Sequence, residues 1–204
     1  MDGTLVVFDL GGVLIDWEPR RLYRKLFAEE SAMERFLAEI CTSAWNAELD
    51  RGRPFAEAIA ELVARHPEQA PAIRAWRERW IEMVGGPIAG TVGLLERLAE
   101  RGVPLAALSN WSAETFPLVR DDPRYAFFGR FQMIFLSGEL GMIKPEPEIF
   151  EHLLTATGRP AERCLLIDDN AANVETAQRM GFATHRFRSP ELLAADLLAR
   201  GLLA

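Results

Sequence analysis

The sequence predicts a doubly wound α/β fold, a parallel sheet core with an inserted all-helical cap, and three observations lead there. Five short apolar runs, 4–10, 103–109, 132–136, 163–168 and 182–187, read as buried strands. They lack in-and-out alternation, as strands of a parallel sheet covered on both faces do. From residue 88 onward, segments of helical period alternate with these runs. The interval 17–86 holds only stretches of helical period, and its about 70 residues are too many for one crossover.

In chain order, the first run passes Asp9 and meets Gly11-Gly12. Helices are expected over 21–28, 32–40, 55–65 and 72–84, with no convincing strand among them. This insert is bounded by Asp16–Pro19 and by Gly85-Gly86-Pro87. The expected domains are therefore an α/β core, 1–16 and 87–204, and a cap, 17–86. Within the core, 88–101 places Val92, Leu95, Leu98 and Ala99 on one stripe, while 147–158 and 170–181 each end at a glycine suited to a helix C-cap.

The chain has 204 residues, 49% of them hydrophobic and 26% charged, enough for one sizeable core or a core with a smaller insert. A net charge of -7 and the lack of a long basic run argue against nucleic acid as a partner. No apolar stretch reaches the ~18–20 residues that span a membrane. Cys41 and Cys164 lie far apart, which suits two reduced thiols rather than a disulfide framework. With no cleavable leader apparent, a complete cytoplasmic protein is expected, and monomer and homodimer stay equally open.

In an open parallel sheet, ligands bind beyond the carboxyl ends of the strands. Read in order, those ends carry Asp9, then Ser109-Asn110, then Asp168-Asp169, with Lys144 a short loop beyond the run 132–136. Each has an ordinary structural explanation. Asp9 can border a turn, Ser109 and Asn110 can cap a helix, Lys144 can be solvated, and Asp168-Asp169-Asn170 can be a polar turn. Together they say more. Gly11 and Gly12 let the backbone turn tightly and aim N–H groups at an anion. Lys144 near a helix start opposes the macrodipole unless an anion binds there. An adjacent acidic pair meeting Asp9 is costly unless a proton or a cation neutralises it, and oxygen ligands with room for water suit Mg²⁺.

The segments VVFDLGGVL, AALSNW, GMIKPEPEIF and CLLIDDNAANVETA, in that order, resemble the haloacid dehalogenase-like hydrolase superfamily over nearly the whole chain. The helical insert is similar to its C1-type cap. The motifs look closest to the subgroup that includes bacterial α-D-glucose-1-phosphate phosphatase. The resemblance implies a Mg²⁺-dependent phosphatase acting on a small phosphate ester, a sugar phosphate being favoured. Asp9 would be the nucleophile; Asp9, the Gly11 carbonyl and Asp169, with Asp168 as ligand or support, would hold Mg²⁺. Ser109, Asn110 and Gly12 would bind the phosphoryl group, Lys144 would offset its charge, and Asn173 would support the acidic motif.

One position departs from the pattern. Most phosphatases that the chain resembles carry a second Asp two residues after the nucleophile, as acid to the leaving group, and here Gly11 stands there. Such help is worth about 10²–10⁴-fold, so slow turnover, a good leaving group or a substitute acid is expected, with Asp16 more at home in the cap hinge. A metal-independent 2-haloacid dehalogenase, with Asp9 attacking carbon, is a rival that the acidic pair argues against. A catalytically weak phosphate- or partner-binding module is another. In the cap, the segment 44–52 mixes an aromatic with amide and charged groups that could line a polar, sugar-sized pocket. An ordinary helix–turn–helix with Trp45 and Leu49 as an inward pair is favoured, and Trp76 with Trp80 reads as cap core. Trp17 could face either side, and His66, His152 and His185 show no ligand spacing.

Overall fold

The computed structural model describes residues 3–203. The expected outer limits of the α/β domain, residues 1 and 204, lie outside the described residues. The first half runs β1 (Leu5–Phe8), β2 (Ile15–Trp17), α1 (Arg20–Tyr23), α2 (Glu30–Glu39), α3 (Ser43–Asp50), α4 (Phe55–Arg65), α5 (Ala70–Glu78), β3 (Val84–Pro87) and α6 (Ala89–Glu100). The second runs β4 (Leu105–Ser109), α7 (Pro117–Arg120), β5 (Met133–Leu136), α8 (Ser137–Leu140), α9 (Pro147–Thr157), β6 (Cys164–Asp168), α10 (Ala171–Arg179), β7 (Ala183–Arg186) and α11 (Pro190–Ala199).

All five apolar runs form strands of one parallel sheet in the order β5-β4-β1-β6-β7. The missing alternation has a direct cause. Val6, Phe8, Leu105, Ala107, Leu165 and Ile167 face a core closed by α6 and α11, through Leu95, Leu98, Leu193 and Leu197. Their neighbours Leu5, Val7, Ala106, Leu108, Cys164 and Leu166 face the opposite core, closed by Ile149, Phe150 and Leu153 of α9 and by Ala177 of α10. Each fully buried aliphatic side chain contributes about 1.5–3 kcal/mol, so neither face can be left to water. Gly158 ends α9 in the left-handed region (φ 64°), as a C-capping glycine does. The β1–β4 and β1–β6 pairings bring Asp9, Ser109 and Asp168 to one sheet edge.

The interval read as free of strands contains part of one antiparallel ribbon. Ile15 pairs with Pro87, Asp16 with Gly86 and Trp17 with Val84, and the register shifts between Asp16 and Trp17. The ribbon carries the chain into the helical insert and back out. Gly85-Gly86-Pro87 looks like a breaker in sequence, yet β3 needs its glycines. A Cβ on Gly85 would strike the Asp16 carboxylate and the Arg21 guanidinium, which pair with each other. Asp16 therefore lies in the ribbon at the entry to the insert, held by Arg21. The helix expected over 21–28 shortens to α1, and the one expected over 72–84 ends at Glu78, followed by a tight turn and β3.

Both cysteines are buried free thiols. No helix of the described residues is long and apolar enough to cross a membrane. His185 faces Asp196 and His152 lies edge-on to Phe135.

Candidate active site

The loop after β1 bends back at once. Leu10 N–H donates to Asp9 Oδ1 (2.7 Å), and Asp9 N–H donates to Ile167 O (2.8 Å), which ties the loop to β6. From the end of β4, Ser109 Oγ donates to Asp9 Oδ1 (2.9 Å). Lys144, fully buried, donates through Nζ to Leu108 O (2.7 Å) and pairs with Asp168 Oδ2 (2.6 Å) and Asp9 Oδ1 (3.1 Å). The Asn110 side chain clamps the Lys144 main chain from both sides, Nδ2 to Lys144 O and Oδ1 from Lys144 N–H, each at 2.9 Å. That leaves the main-chain N–H as what Asn110 offers a ligand.

The two carboxylates after β6 do different work. Asp168 is buried and saturated: Oδ1 accepts from Asn170 N–H (2.9 Å) and from Asn173 Nδ2 (3.0 Å), while Oδ2 holds Lys144. Asp169 is exposed at the cleft, with a carboxylate oxygen near those of Asp9 and Asp168; these all lie within 4.8 Å of one another. Although Asp169 reaches solvent, partial desolvation by the surrounding site, and then the Asp168 charge, hold its carboxyl above its ordinary range. Burial also drives Asp9 upward, opposed by Lys144 and reinforced by Asp168 and Asp169. For Lys144, burial works against the charge, but Asp168 and Asp9 outweigh it and hold the ammonium above its usual range.

Three carboxylates thus face one ammonium, an imbalance that a divalent cation would remove. The donors are all oxygen, and Asn173 Oδ1 beside them is buried without a hydrogen-bond partner. Such a set fits Mg²⁺. Asp9 and Asp169 could hold it, with the Gly11 carbonyl expected to join them, whereas Asp168 is spent on Lys144 and Asn173.

Gly12 differs from its expected role. Its N–H donates to Ile15 O (2.8 Å) and is not available to a phosphate. Its task is conformational: φ is +74°, and a Cβ would lie 2.5 Å from Asp169 Oδ2. Gly12→Ala is expected to cost about 1–2 kcal/mol from the left-handed backbone alone. It should also displace Asp169, so that Mg²⁺ titration followed by melting temperature shows weaker binding than in wild type.

Above this edge lies a cleft between cap and core, of about 370 Å³ counted out to open solvent, lined by Gly11, Trp17, Asn46, Asp50, Trp80, Asn110 and Trp111. Asn46 and Asp50 belong to the segment 44–52, whose mixed aromatic, amide and charged groups could line a polar pocket, and both line this cleft. They sit one residue along from the inward pair Trp45 and Leu49, about 100° round α3, and that offset was the available signal. Trp80, expected in the cap core, is buried there, and its ring also packs against Trp111 at 5.6 Å and lines the cleft. Trp17 meets Trp76 edge-on at 6.4 Å and lines the cleft as well.

The family model for haloacid dehalogenase-like hydrolases matches residues 4–181. The chain belongs to that family. Among its relatives, a sesquiterpene phosphatase of Aspergillus oryzae is 26% identical over 175 residues, 86% of this chain and 85% of its own. A predicted family hydrolase from Porphyromonas gingivalis superposes with a TM-score of 0.73 at 24% identity, covering 97% of this chain and 98% of the other. A Bacteroides thetaiotaomicron family enzyme, solved in complex with magnesium and inorganic phosphate, gives 0.69 at 24% identity over 92% and 95%. At these identities the two structures speak for the fold. This haloacid dehalogenase-like chain is a hydrolase with a relative that is a phosphatase.

Proposed function

We propose that this hydrolase cleaves a small organic phosphate monoester with Mg²⁺ bound, through an aspartyl-phosphate on Asp9. The observation that carries the reading is the Asp9, Asp168 and Asp169 cluster with Lys144 and Ser109 at its side. Bound Mg²⁺ would neutralise phosphoryl oxygens and the cluster's excess charge. Asp9 attacks phosphorus in line; Ser109 and Lys144 hold and aim one oxygen and oppose the burial that pushes its carboxyl up, and bound Mg²⁺ would favour the ionised form further. The Asn110 main-chain N–H, and the Ser109 hydroxyl on turning from Asp9, meet the transferring oxygens, and Lys144 offsets their growing charge. The cap excludes water over the cleft. A dehalogenase needs no such acidic cluster.

A C1-type cap and a sugar phosphate, as in the glucose-1-phosphate phosphatase subgroup, form the substrate side of the proposal. Asn46 and Asp50 suit hydroxyl groups, while Trp17, Trp80 and Trp111 suit the apolar face of a ring. Those tryptophans and the sesquiterpene phosphatase relative also support a second reading, a terpenoid monophosphate. Hexose 1- and 6-phosphates assayed beside a sesquiterpenyl monophosphate separate the two.

Mg²⁺ at 100 times its dissociation constant should stabilise the protein by about 2.7 kcal/mol, read as a rise in melting temperature reversed by EDTA. Hydrolysis of p-nitrophenyl phosphate should vanish with EDTA. Turnover of 2-chloropropionate that survives EDTA would replace the phosphatase reading with the dehalogenase one. Beryllofluoride binding with Mg²⁺ but no turnover of either substrate would leave a binding module.

A further inference from the structure

An alkoxide cannot leave phosphorus easily unless it takes up a proton. Among the residues that line the cleft, tryptophan and asparagine have none to give, and Lys144 lies beneath Asp9 with Nζ spent on Leu108, Asp168 and Asp9. Asp50 is the exception. It comes from the cap, at the end of α3, and the core fixes it from several directions. Ser137 Oγ donates to the Asp50 carbonyl, Arg51 pairs with Glu146, and Gly52 lies so close to Gly138 that a Cβ would sit 2.8 Å from its carbonyl oxygen. The Asp50 carboxyl accepts from Asn46 Nδ2 (2.7 Å) and from the Ser112 main chain, and no basic side chain among the described residues pairs with it.

Gly11, on the opposite wall, leaves room. A Cβ there would meet nothing within 4 Å, and its φ is not positive. The cleft therefore has open space beside the nucleophile, and a cap carboxyl lines the same space.

We infer that Asp50 is the general acid and base of the phosphatase reaction proposed above, supplied by the cap across the space that Gly11 leaves open. In the first half, an Asp9 oxygen bonds to phosphorus, the bond from phosphorus to the ester oxygen breaks, and that oxygen takes the Asp50 proton, releasing the alcohol. In the second, water attacks the aspartyl-phosphate. One of its protons goes to Asp50, the other stays on the phosphate, and the Asp9 carboxylate is restored. Burial, with Asp9 adding to it against the hydrogen bonds from Ser112 and Asn46, pushes the Asp50 carboxyl up to about 8, so the proton is present at neutral pH. The arrangement couples chemistry to cap closure, because the acid is present only when α3 is docked.

The inference rests on the phosphatase reading, and Mg²⁺-dependent turnover by the wild type tests that reading separately. The test of Asp50 is a leaving-group comparison in single turnover, glycerol 2-phosphate against p-nitrophenyl phosphate, whose phenolate leaves without a proton. Asp50→Asn should slow transfer from the alkyl ester by about 10²–10⁴-fold and from the aryl ester by less than about tenfold. With the aryl ester, one equivalent of p-nitrophenol should then appear in a burst, because water attack has lost its base. Gly11→Asp in the Asp50→Asn background should recover much of the alkyl-ester rate. Equal losses on both esters, an unchanged alkyl-ester rate, or no recovery in the double variant would each overturn the inference. So would a steep dependence of the wild-type rate on leaving-group basicity across aryl phosphates, a measurement that needs no variant to fold.

Discussion

Asp9→Asn is expected to lower kcat/KM for p-nitrophenyl phosphate by about 10⁴-fold or more and to leave no acid-stable, base-labile phosphate on the protein after quenching. The amide is a poor nucleophile and a poorer cation ligand, so two losses fall on one atom group. Structure should survive, because Asn can still accept from Ser109 and Leu10 N–H through its carbonyl oxygen. The variant removes a carboxyl that burial and two neighbouring carboxylates already oppose. Without Mg²⁺ it should therefore melt no lower than wild type. Retained turnover at wild-type rates would remove Asp9 from the chemistry, whatever its position.

Lys144→Met is expected to be the most damaging single change to stability, about 3–5 kcal/mol, together with loss of activity. Methionine matches the length of the chain but not the charge. Nζ is wholly buried and serves Leu108 O, Asp168 Oδ2 and Asp9 Oδ1 together, so its removal strands two carboxylates and a carbonyl in the interior. The loss should shrink as pH falls, since a protonated carboxyl needs no counter-charge. Urea unfolding of wild type and variant at pH 8 and pH 5 reads both the size and the sign. Similar stabilities at pH 8 would mean that the cluster carries less charge than its geometry implies.

These two residues also mark how much of the site was legible in sequence. Asp9, Ser109, Lys144 and the acidic pair were visible because each follows a short apolar run, and in a parallel sheet strand ends converge on one edge. The same locality explains the strands and the glycine-capped helices, whose signals lie within a few neighbouring residues. The division of labour between Asp168 and Asp169 was not legible. Adjacent identical side chains become different only once one of them meets a lysine 24 residues away and Asn173 five residues on.

What the sequence determined by itself was the fold class, the strand runs and the order in which charged groups reach the sheet edge, because hydrophobic burial on both faces and helix capping are written locally. Tertiary structure alone decided the rest. It paired β2 with β3 across the whole insert, spent the Gly12 N–H on Ile15 O, and turned Trp80 toward Trp111. It also brought Asp50 of the cap over Gly11 of the core. Each of these outcomes depends on two distant segments meeting, and a rotation of about 100° on one helix separates a core residue from one that faces the substrate cleft.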